Sequence, residues 1–173
     1  MPLHAHADGP GGGPYERLTA SGLRYGPAFQ GLRATWRHGE ELFADVVLPD
    51  AARGPHPETG GPRFLLHPAL LDAALHAVAL DGLVTDRAGV AGSAETPETV
   101  GAELSLPFAF GGVRVAATRV ERVRVRVTPS ADGRAAVELT DETGAPVLSV
   151  RSLVLRALPR NGSPAPDARP AAL

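Results

Sequence analysis

The sequence contains neither cysteine nor lysine. Without cysteine the chain can form no disulfide, no thiolate metal site and no cysteine nucleophile. All 17 basic residues are arginine, and glycine and proline are abundant at 20 and 17 residues. We attribute this composition to the codon bias of a GC-rich genome and not to a binding function.

A basic net charge and a long apolar segment are also absent. The formal net charge is −2, so no basic field favours nucleic acid or an anionic membrane. No apolar run approaches the roughly 20 residues that span a bilayer, and the N-terminus lacks the apolar core of a signal peptide. We therefore expect a cytoplasmic, globular protein with no nucleic-acid and no membrane partner.

The two ends of the sequence differ in character from its centre. Residues 1–14 and 159–173 are rich in glycine, proline and other small residues without apolar periodicity, which is typical of flexible linkers. His4 and His6 lie in the first of these, but two histidines without a third ligand are weak grounds for a metal site, and no metal is expected. The ordered domain is predicted to span residues 15–158.

One long helix is predicted near the middle of this domain. The segment "HPALLDAALHAVAL", residues 67–80, is apolar on nearly all sides, with Pro68 suited to the first turn and Gly82 to the end. A helix that is apolar nearly all round is buried. A shorter helix is predicted over 15–22, closed by Gly22.

Alternating apolar residues predict strands on both sides of the long helix. Residues 51–63 and 84–103 are predicted to be loops. The strand signals are two strands within 32–49 that meet at a turn at His38 and Gly39, and later signals at 113–129, 134–141 and 145–158. Strands that meander after one central helix predict an α+β domain, an antiparallel sheet with a single helix on one face.

Arginine alternates with valine in the third of these signals, at Arg122, Arg124 and Arg126. Such a row could meet an anionic partner. A solvated strand face is the favoured interpretation.

The long helix carries two titratable residues, Asp72 and His76, one turn apart on the same face. Burial of Asp72 would disfavour its charged form, and a carboxyl group kept protonated can donate a proton to a leaving group. His76 could hydrogen-bond Asp72 and fix its orientation. From the spacing alone, an ordinary Asp–His pair on a solvated stripe is the favoured alternative.

Two further segments add to this pair. "YGPAFQGL", residues 25–32, contains a Gly26-Pro27 turn that presents Tyr25 and Phe29 in a defined geometry. "SLPFAFGGVRV", residues 105–115, enters a strand through Pro107 and Phe108. None of the three segments specifies a function by itself.

Taken in order, the three segments resemble the dehydratase domain of modular type I polyketide synthases. That domain is a double hotdog, in which each hotdog is a long helix wrapped by an antiparallel sheet. The C-terminal hotdog of the family carries YGPxFQGL, matched at Tyr25 to Leu32. It also carries HPAxLDxxxQ or HPAxLDxxxH, matched at His67 to His76, and an LPF segment, matched at Leu106 to Phe108. The resemblance covers about residues 15–158, and implies a single hotdog that corresponds to the second half.

The resemblance implies removal of water from a 3-hydroxyacyl thioester, giving a 2-enoyl thioester. The substrate is carried on the phosphopantetheine arm of an acyl carrier protein, and no cofactor is bound directly. A histidine base takes the α-proton, Asp72 protonates or holds the departing hydroxyl, His76 orients Asp72, and Tyr25 assists. The implied substrate pocket is lined by Gly26, Pro27, Phe29, Pro68, Leu71, Leu75 and Phe108.

The sequence departs from the family in lacking the segment that carries the catalytic base. The family's catalytic histidine lies in the N-terminal hotdog, in an HxxxGxxxxP segment that this sequence lacks. None of His4, His6, His38, His56 and His67 has a matching context. The chain therefore resembles half of a dehydratase that needs an N-terminal hotdog, from the same or a separate polypeptide, in a homo- or heterodimer. It could instead be a fragment of a larger synthase, or a non-dehydrating docking, scaffold or cyclase-like module.

Overall fold

The strands predicted from apolar alternation form one antiparallel sheet in a computed structural model that describes residues 12–53, 64–81, 105–116 and 119–157. Two α-helices precede and interrupt the sheet, and single 3-10 turns lie at Pro27–Phe29 and Asp50–Ala52. The elements are α1 (Pro14–Ala20), β1 (Leu32–His38), β2 (Glu41–Val47), α2 (Pro68–Asp81), β3 (Ser105–Val115), β4 (Arg122–Pro129), β5 (Arg134–Thr140) and β6 (Pro146–Ala157).

Both predicted helices are present, and the loops and tails are only partly described. α2 begins at Pro68, as expected, and α1 is followed by Gly22 at φ 94°, a left-handed conformation that glycine adopts without strain. The flexible segments predicted at 1–14 and 159–173 lie outside the described residues, apart from residues 12–14. Residues 84–103 and most of 51–63, including His56, also lie outside them.

The order of the strands in the sheet is β1-β2-β4-β5-β6-β3, and every neighbouring pair is antiparallel. β4, β5 and β6 form the expected meander. The single strand signal predicted over 113–129 is wrong, because the chain leaves β3 at Val115 and begins β4 at Arg122. β3 lies at the far edge beside β6, whereas β4 lies between β2 and β5, a separation that apolar alternation along the chain cannot reveal.

The side chains of β4 alternate between the two faces of the sheet. Val123, Val125 and Val127 are buried in the core. The alternate arginines are exposed, and two of them pair with carboxylates of β2: Arg122 with Asp45 at 2.8 Å and Arg126 with Glu41 at 2.6 Å. This is the arrangement that a solvated strand face predicts.

The core lies between the inner face of the sheet and α2. Small residues on α2, including Ala73, Ala74 and Ala77, are fully buried and allow the helix to approach the strands closely. A Cβ at Gly31, just before β1, would lie 2.9 Å from the Ala73 Cβ and 2.6 Å from the Val47 carbonyl oxygen. This close approach fixes α2 against β1. No described helix is long and apolar enough to cross a membrane.

Candidate active site

The position of Asp72 depends on how α2 begins. The His67 carbonyl accepts hydrogen bonds from the amides of Leu70 and Leu71 at 3.0 and 3.1 Å, and His67 Nδ1 accepts one from the Ala69 amide at 3.2 Å. The Leu71 bond is the first of the helix, and the bonds from Ala69 and Leu70 satisfy amides that would otherwise have no partner within it. His67 and Pro68 therefore form the N-terminal cap and set where along α2 the first polar side chain lies.

Asp72 and His76 contact each other as their spacing predicts. His76 Nε2 lies 2.9 Å from Asp72 Oδ2. The expected burial of Asp72 is wrong for the described residues: its side chain is 45% exposed, whereas that of His76 is 2% exposed. The reason is geometric, because the side of α2 that carries Asp72 and the half-buried Leu71 and Leu75 turns away from the sheet.

Tyr25 covers one face of the His76 ring. The centroids of the two rings are 3.8 Å apart, with 43° between their planes. Desolvation raises the pKa of the Tyr25 phenol, and the nearby negative charge of Asp72 raises it further. The loop that presents Tyr25 is held by Gln30, whose Nε2 donates to the Tyr25 carbonyl at 2.8 Å. The "YGPAFQGL" segment therefore brings Tyr25 to the Asp72–His76 pair.

Tyr15 is a site residue that the sequence reasoning missed. Its hydroxyl lies 3.3 Å from His76 Nδ1, accepts a hydrogen bond from the Leu32 amide at 2.8 Å, and lies 3.1 Å from the Phe29 carbonyl oxygen. Its ring also packs edge-on against Tyr25 and His76. The one available signal was composition, because Tyr15 is one of only two tyrosines in the chain and precedes the other by ten positions.

Burial makes the Tyr15 hydroxyl a durable hydrogen-bond donor. Desolvation raises the pKa of Tyr15 to about 12, although the bond from the Leu32 amide opposes part of the shift. The phenol thus keeps its proton across the physiological range. Both ring nitrogens of the buried His76 have partners: Tyr15 at Nδ1 and Asp72 at Nε2.

The residues predicted to line a pocket differ in their relation to this cluster. Phe29 is joined to it through its backbone carbonyl, while its side chain is 42% exposed. Phe108 is 57% exposed on β3, with the Arg156 guanidinium 3.8 Å above its ring, and no described contact joins Phe108 to Asp72 or His76. The other predicted lining residues are exposed or half-buried: Gly26, Pro27, Pro68, Leu71 and Leu75.

The chemistry that the cluster offers is that of an acid–base pair. His76 Nε2 engages one oxygen of Asp72, and among the described residues the other oxygen, Oδ1, has no hydrogen-bond partner. A carboxyl group held in this way presents one oxygen to a bound molecule. Within the described part of the chain, no three His, Asp or Glu side chains are grouped as metal ligands.

The sequence matches the family model described as the polyketide synthase dehydratase N-terminal domain over residues 6–165. Because that description names the N-terminal domain, the match does not confirm the prediction that the chain is the C-terminal half. The chain is 49% identical over 142 residues to mycoketide-CoA synthase of Mycobacterium tuberculosis, covering 82% of the chain and 3% of that protein. It is 45% identical over 152 residues to the spectinabilin polyketide synthase system protein NorA' of Streptomyces orinoci, covering 87% and 4%.

Solved structures agree with these matches. A dehydratase structure from work on the borrelidin and fluvirucin polyketide synthases aligns with a TM-score of 0.63 at 37% identity, over 92% of this chain and 52% of that one. The dehydratase domain from the terminal module of the rifamycin polyketide synthase aligns with a TM-score of 0.60 at 38% identity. The alignment covers 83% of this chain and 44% of that one. The bifunctional dehydratase-cyclase domain of ambruticin biosynthesis aligns with a TM-score of 0.53 at 34% identity. The alignment covers 76% of this chain and 40% of that one.

These alignments confirm the predicted α+β hotdog fold. The chain spans about half the length of the solved dehydratase chains and a few per cent of the synthases. The family match covers most of the chain, and both relatives exceed 40% identity over more than four fifths of it. The chain therefore belongs to the polyketide synthase dehydratase family.

Proposed function

We propose that this chain supplies the acid-bearing half of a dehydratase active site and that Asp72 is its catalytic acid. The observation that carries the proposal is the geometry of Asp72: Oδ2 contacts the buried His76, Oδ1 has no hydrogen-bond partner among the described residues, and the side chain is 45% exposed. A carboxyl group that is held through one oxygen and has no described partner at the other suits proton donation to a leaving hydroxyl.

The proposed reaction is the elimination of water from a 3-hydroxyacyl thioester. A base removes the proton at the α-carbon, the electron pair of that C–H bond forms the new double bond, and the C–O bond at the β-carbon breaks. Asp72 gives its proton to the departing hydroxyl, which leaves as water. The base then holds the α-proton, whose return to Asp72 restores the starting state.

The proposed base lies on another half-domain. Among the described histidines, His76 has partners on both nitrogens, His67 caps α2, and His38 ends β1 at the hairpin. His76 therefore has no nitrogen left for a substrate proton, and no described contact joins His67 or His38 to Asp72. The corresponding solved chains are about twice as long as this one, which leaves room for a second hotdog that carries the base.

The exposed strand β3, at one edge of the sheet, supports the proposal of a second hotdog as partner. β3 pairs with β6 on one side and with no described strand on the other. It exposes large apolar side chains, at Phe108, Phe110, Val113 and Val115. An exposed apolar edge strand favours pairing with another chain or domain. We propose an N-terminal hotdog as that partner and a carrier-protein thioester as the substrate form.

The decisive experiment mixes this chain with an N-terminal hotdog and a 3-hydroxyacyl thioester on acyl carrier protein, and follows the loss of water by mass spectrometry. We expect turnover only in the mixture, reduced about 100-fold or more by Asp72→Asn, in line with the usual contribution of a general acid. Asp45→Asn is the matched control, because Asp45 pairs with Arg122 on the opposite face of the sheet. Equal turnover of Asp72→Asn and the parent would exclude Asp72 as the acid.

A cyclase-like module is the second candidate. The similarity to the ambruticin dehydratase-cyclase domain favours it. The two candidates differ in the assay, since a cyclase without dehydration would change the retention time of a hydroxyacyl enoyl substrate without changing its mass. No loss of water in the mixture, together with such a cyclisation, would replace the dehydratase proposal.

A further inference from the structure

The proton on the buried His76 ring has two possible positions, and they have different consequences for Asp72. If the proton is on Nε2, it is donated to Asp72 Oδ2, and the proton of a neutral Asp72 must then be on Oδ1. If it is on Nδ1, the bare Nε2 must accept the proton of Asp72 through Oδ2. The first arrangement leaves the acid proton on the oxygen that has no described partner, whereas the second commits it to the hydrogen bond with His76.

The surroundings of the Tyr15 hydroxyl are compatible with both arrangements. The oxygen already accepts the Leu32 amide at 2.8 Å, and its single proton can be donated to His76 Nδ1 at 3.3 Å or to the Phe29 carbonyl at 3.1 Å. The Phe29 bond is exposed, so water can replace Tyr15 there. In the first arrangement the hydroxyl donates to His76 Nδ1, on a ring that is 2% exposed. In the second it donates to the Phe29 carbonyl, and its oxygen accepts the Nδ1 proton beside that of the Leu32 amide.

The loss of the Asp72 proton is what favours the first arrangement. Once Asp72 is ionised it can only accept hydrogen bonds, and a bare Nε2 at 2.9 Å would then face a carboxylate oxygen with two opposed lone pairs. A proton on Nε2 serves both states of Asp72, because Oδ2 accepts it in each. This arrangement needs a donor at Nδ1, and the Tyr15 hydroxyl is the one that the described residues provide.

We propose that Tyr15 is a positioning residue that holds His76 in the tautomer with its proton on Nε2, and so keeps the acid proton of Asp72 on Oδ1. The buried phenol retains its own proton, since its pKa is about 12. Tyr25 has a different role, because its ring packs against the same imidazole at a tilt of 43° and makes no described hydrogen bond to either nitrogen.

The test is the tautomer of His76, read from long-range ¹H–¹⁵N correlations of the imidazole in the ¹⁵N-labelled full chain at a pH where the ring is neutral. We expect the Nε2–H form to dominate in the parent chain. Tyr15→Phe should lower the ratio of Nε2–H to Nδ1–H by about tenfold, the equivalent of one hydrogen bond to a buried group. Tyr25→Phe is the matched control and should leave the ratio unchanged.

Two results would overturn the proposal: a dominant Nδ1–H form in the parent chain, or an unchanged ratio in a folded Tyr15→Phe. If Tyr15→Phe does not fold, 3-fluorotyrosine incorporated into Tyr25→Phe serves instead, because Tyr15 is then the only tyrosine in the chain and fluorine strengthens its phenol as a donor. The Nδ1 resonance of His76 should then shift, and a fixed resonance would equally defeat the proposal.

The consequence for Asp72 rests on the proposed dehydratase function, but the tautomer does not. A chain with the Nε2–H form and no turnover in the mixture would contradict the function alone. Turnover that is lost in Asp72→Asn, together with an Nδ1–H form, would contradict the role of Tyr15 alone. In the active mixture, Tyr15→Phe should lower kcat and leave KM nearly unchanged, because the contacts with the substrate are retained.

Discussion

Two short contacts to carboxylates lie on opposite sides of the sheet. His76 lies 2.9 Å from Asp72 on the inner helix, and Arg126 lies 2.6 Å from Glu41 on the outer face. The distances are similar, but the His76 side chain is 2% exposed and that of Arg126 is 49% exposed. Water can replace either partner of the outer pair, whereas His76 depends on protein groups. Burial, rather than distance, therefore decides which pair the fold depends on.

The largest loss of stability is expected from removing His76, the buried member of the inner pair. His76→Ala leaves a cavity between α1 and α2 and takes away one of the three partners of the Tyr15 hydroxyl. We expect the free energy of unfolding to fall by about 3 kcal/mol, measured by urea denaturation. Arg126→Ala is the comparison, and a loss as large as that of His76→Ala would show that burial does not separate the two pairs.

A smaller effect is expected where β1 approaches α2. In Gly31→Ala, the new methyl group would lie 2.6 Å from the Val47 carbonyl oxygen and 2.9 Å from the Ala73 Cβ, so helix and strand must separate. We expect a loss of about 2 kcal/mol in chemical denaturation. Gly26→Ala is the control, since its Cβ meets nothing within 4 Å. Equal stability of the two variants would contradict the close approach.

The Tyr15 hydroxyl should contribute less to stability than the His76 ring. Tyr15→Phe keeps the aromatic packing but leaves the Leu32 amide without its acceptor, and we expect a loss of about 1 kcal/mol at neutral pH. A chain as stable as the parent would show that another group satisfies this amide.

The stability of Tyr15→Phe relative to the parent chain should also depend on pH. The pKa of Tyr15 is raised from 10.0 to about 12 in the folded state, so the contribution of the protonated phenol is present below pH 10 and is lost as the pH rises towards 12. Tyr15→Phe should therefore unfold at a higher pH than the parent chain in an alkaline titration followed by circular dichroism. Identical alkaline midpoints would contradict the burial of this phenol.

The smallest effect is expected on the outer face. The hydrogen bond from Arg126 lowers the pKa of Glu41, so this contribution is present above the usual pKa of a glutamate and is lost as the pH falls through the lowered value. Glu41→Gln should lower Tm at neutral pH by about 2 °C or less, and added salt should reduce the difference. A large, salt-independent change would mean that the outer pair behaves like a buried one.

Local patterns in the sequence predicted much of this molecule. The cap at His67 and Pro68, the helix that follows, and the alternation of valine and arginine in β4 all depend on residues a few positions apart. The contact between Asp72 and His76 also belongs here, because four positions along a helix always meet on one face. The turn at Gly26 and Pro27 predicted that Tyr25 would be presented, although not that its ring would pack against His76.

Other features depended on residues that are distant in the sequence. Tyr15 and His76 are 61 positions apart, and only the packing of α1 against α2 brings them together. β3 lies beside β6 because of the way the sheet closes, and no periodicity along the chain encodes that placement. The solvent exposure of Asp72 likewise depends on what covers α2, which is a property of the whole fold.

The sequence by itself therefore determined that a carboxyl group and an imidazole face each other on a helix, because helical geometry is local and obeys a fixed period. Only the tertiary structure decided which of the two is buried and which residue lies behind the imidazole. The physical reason is that desolvation and long-range hydrogen bonds depend on every element packed around a group. For His76 those elements are α1 and the Tyr25 loop, and the sheet beyond them sets where both lie.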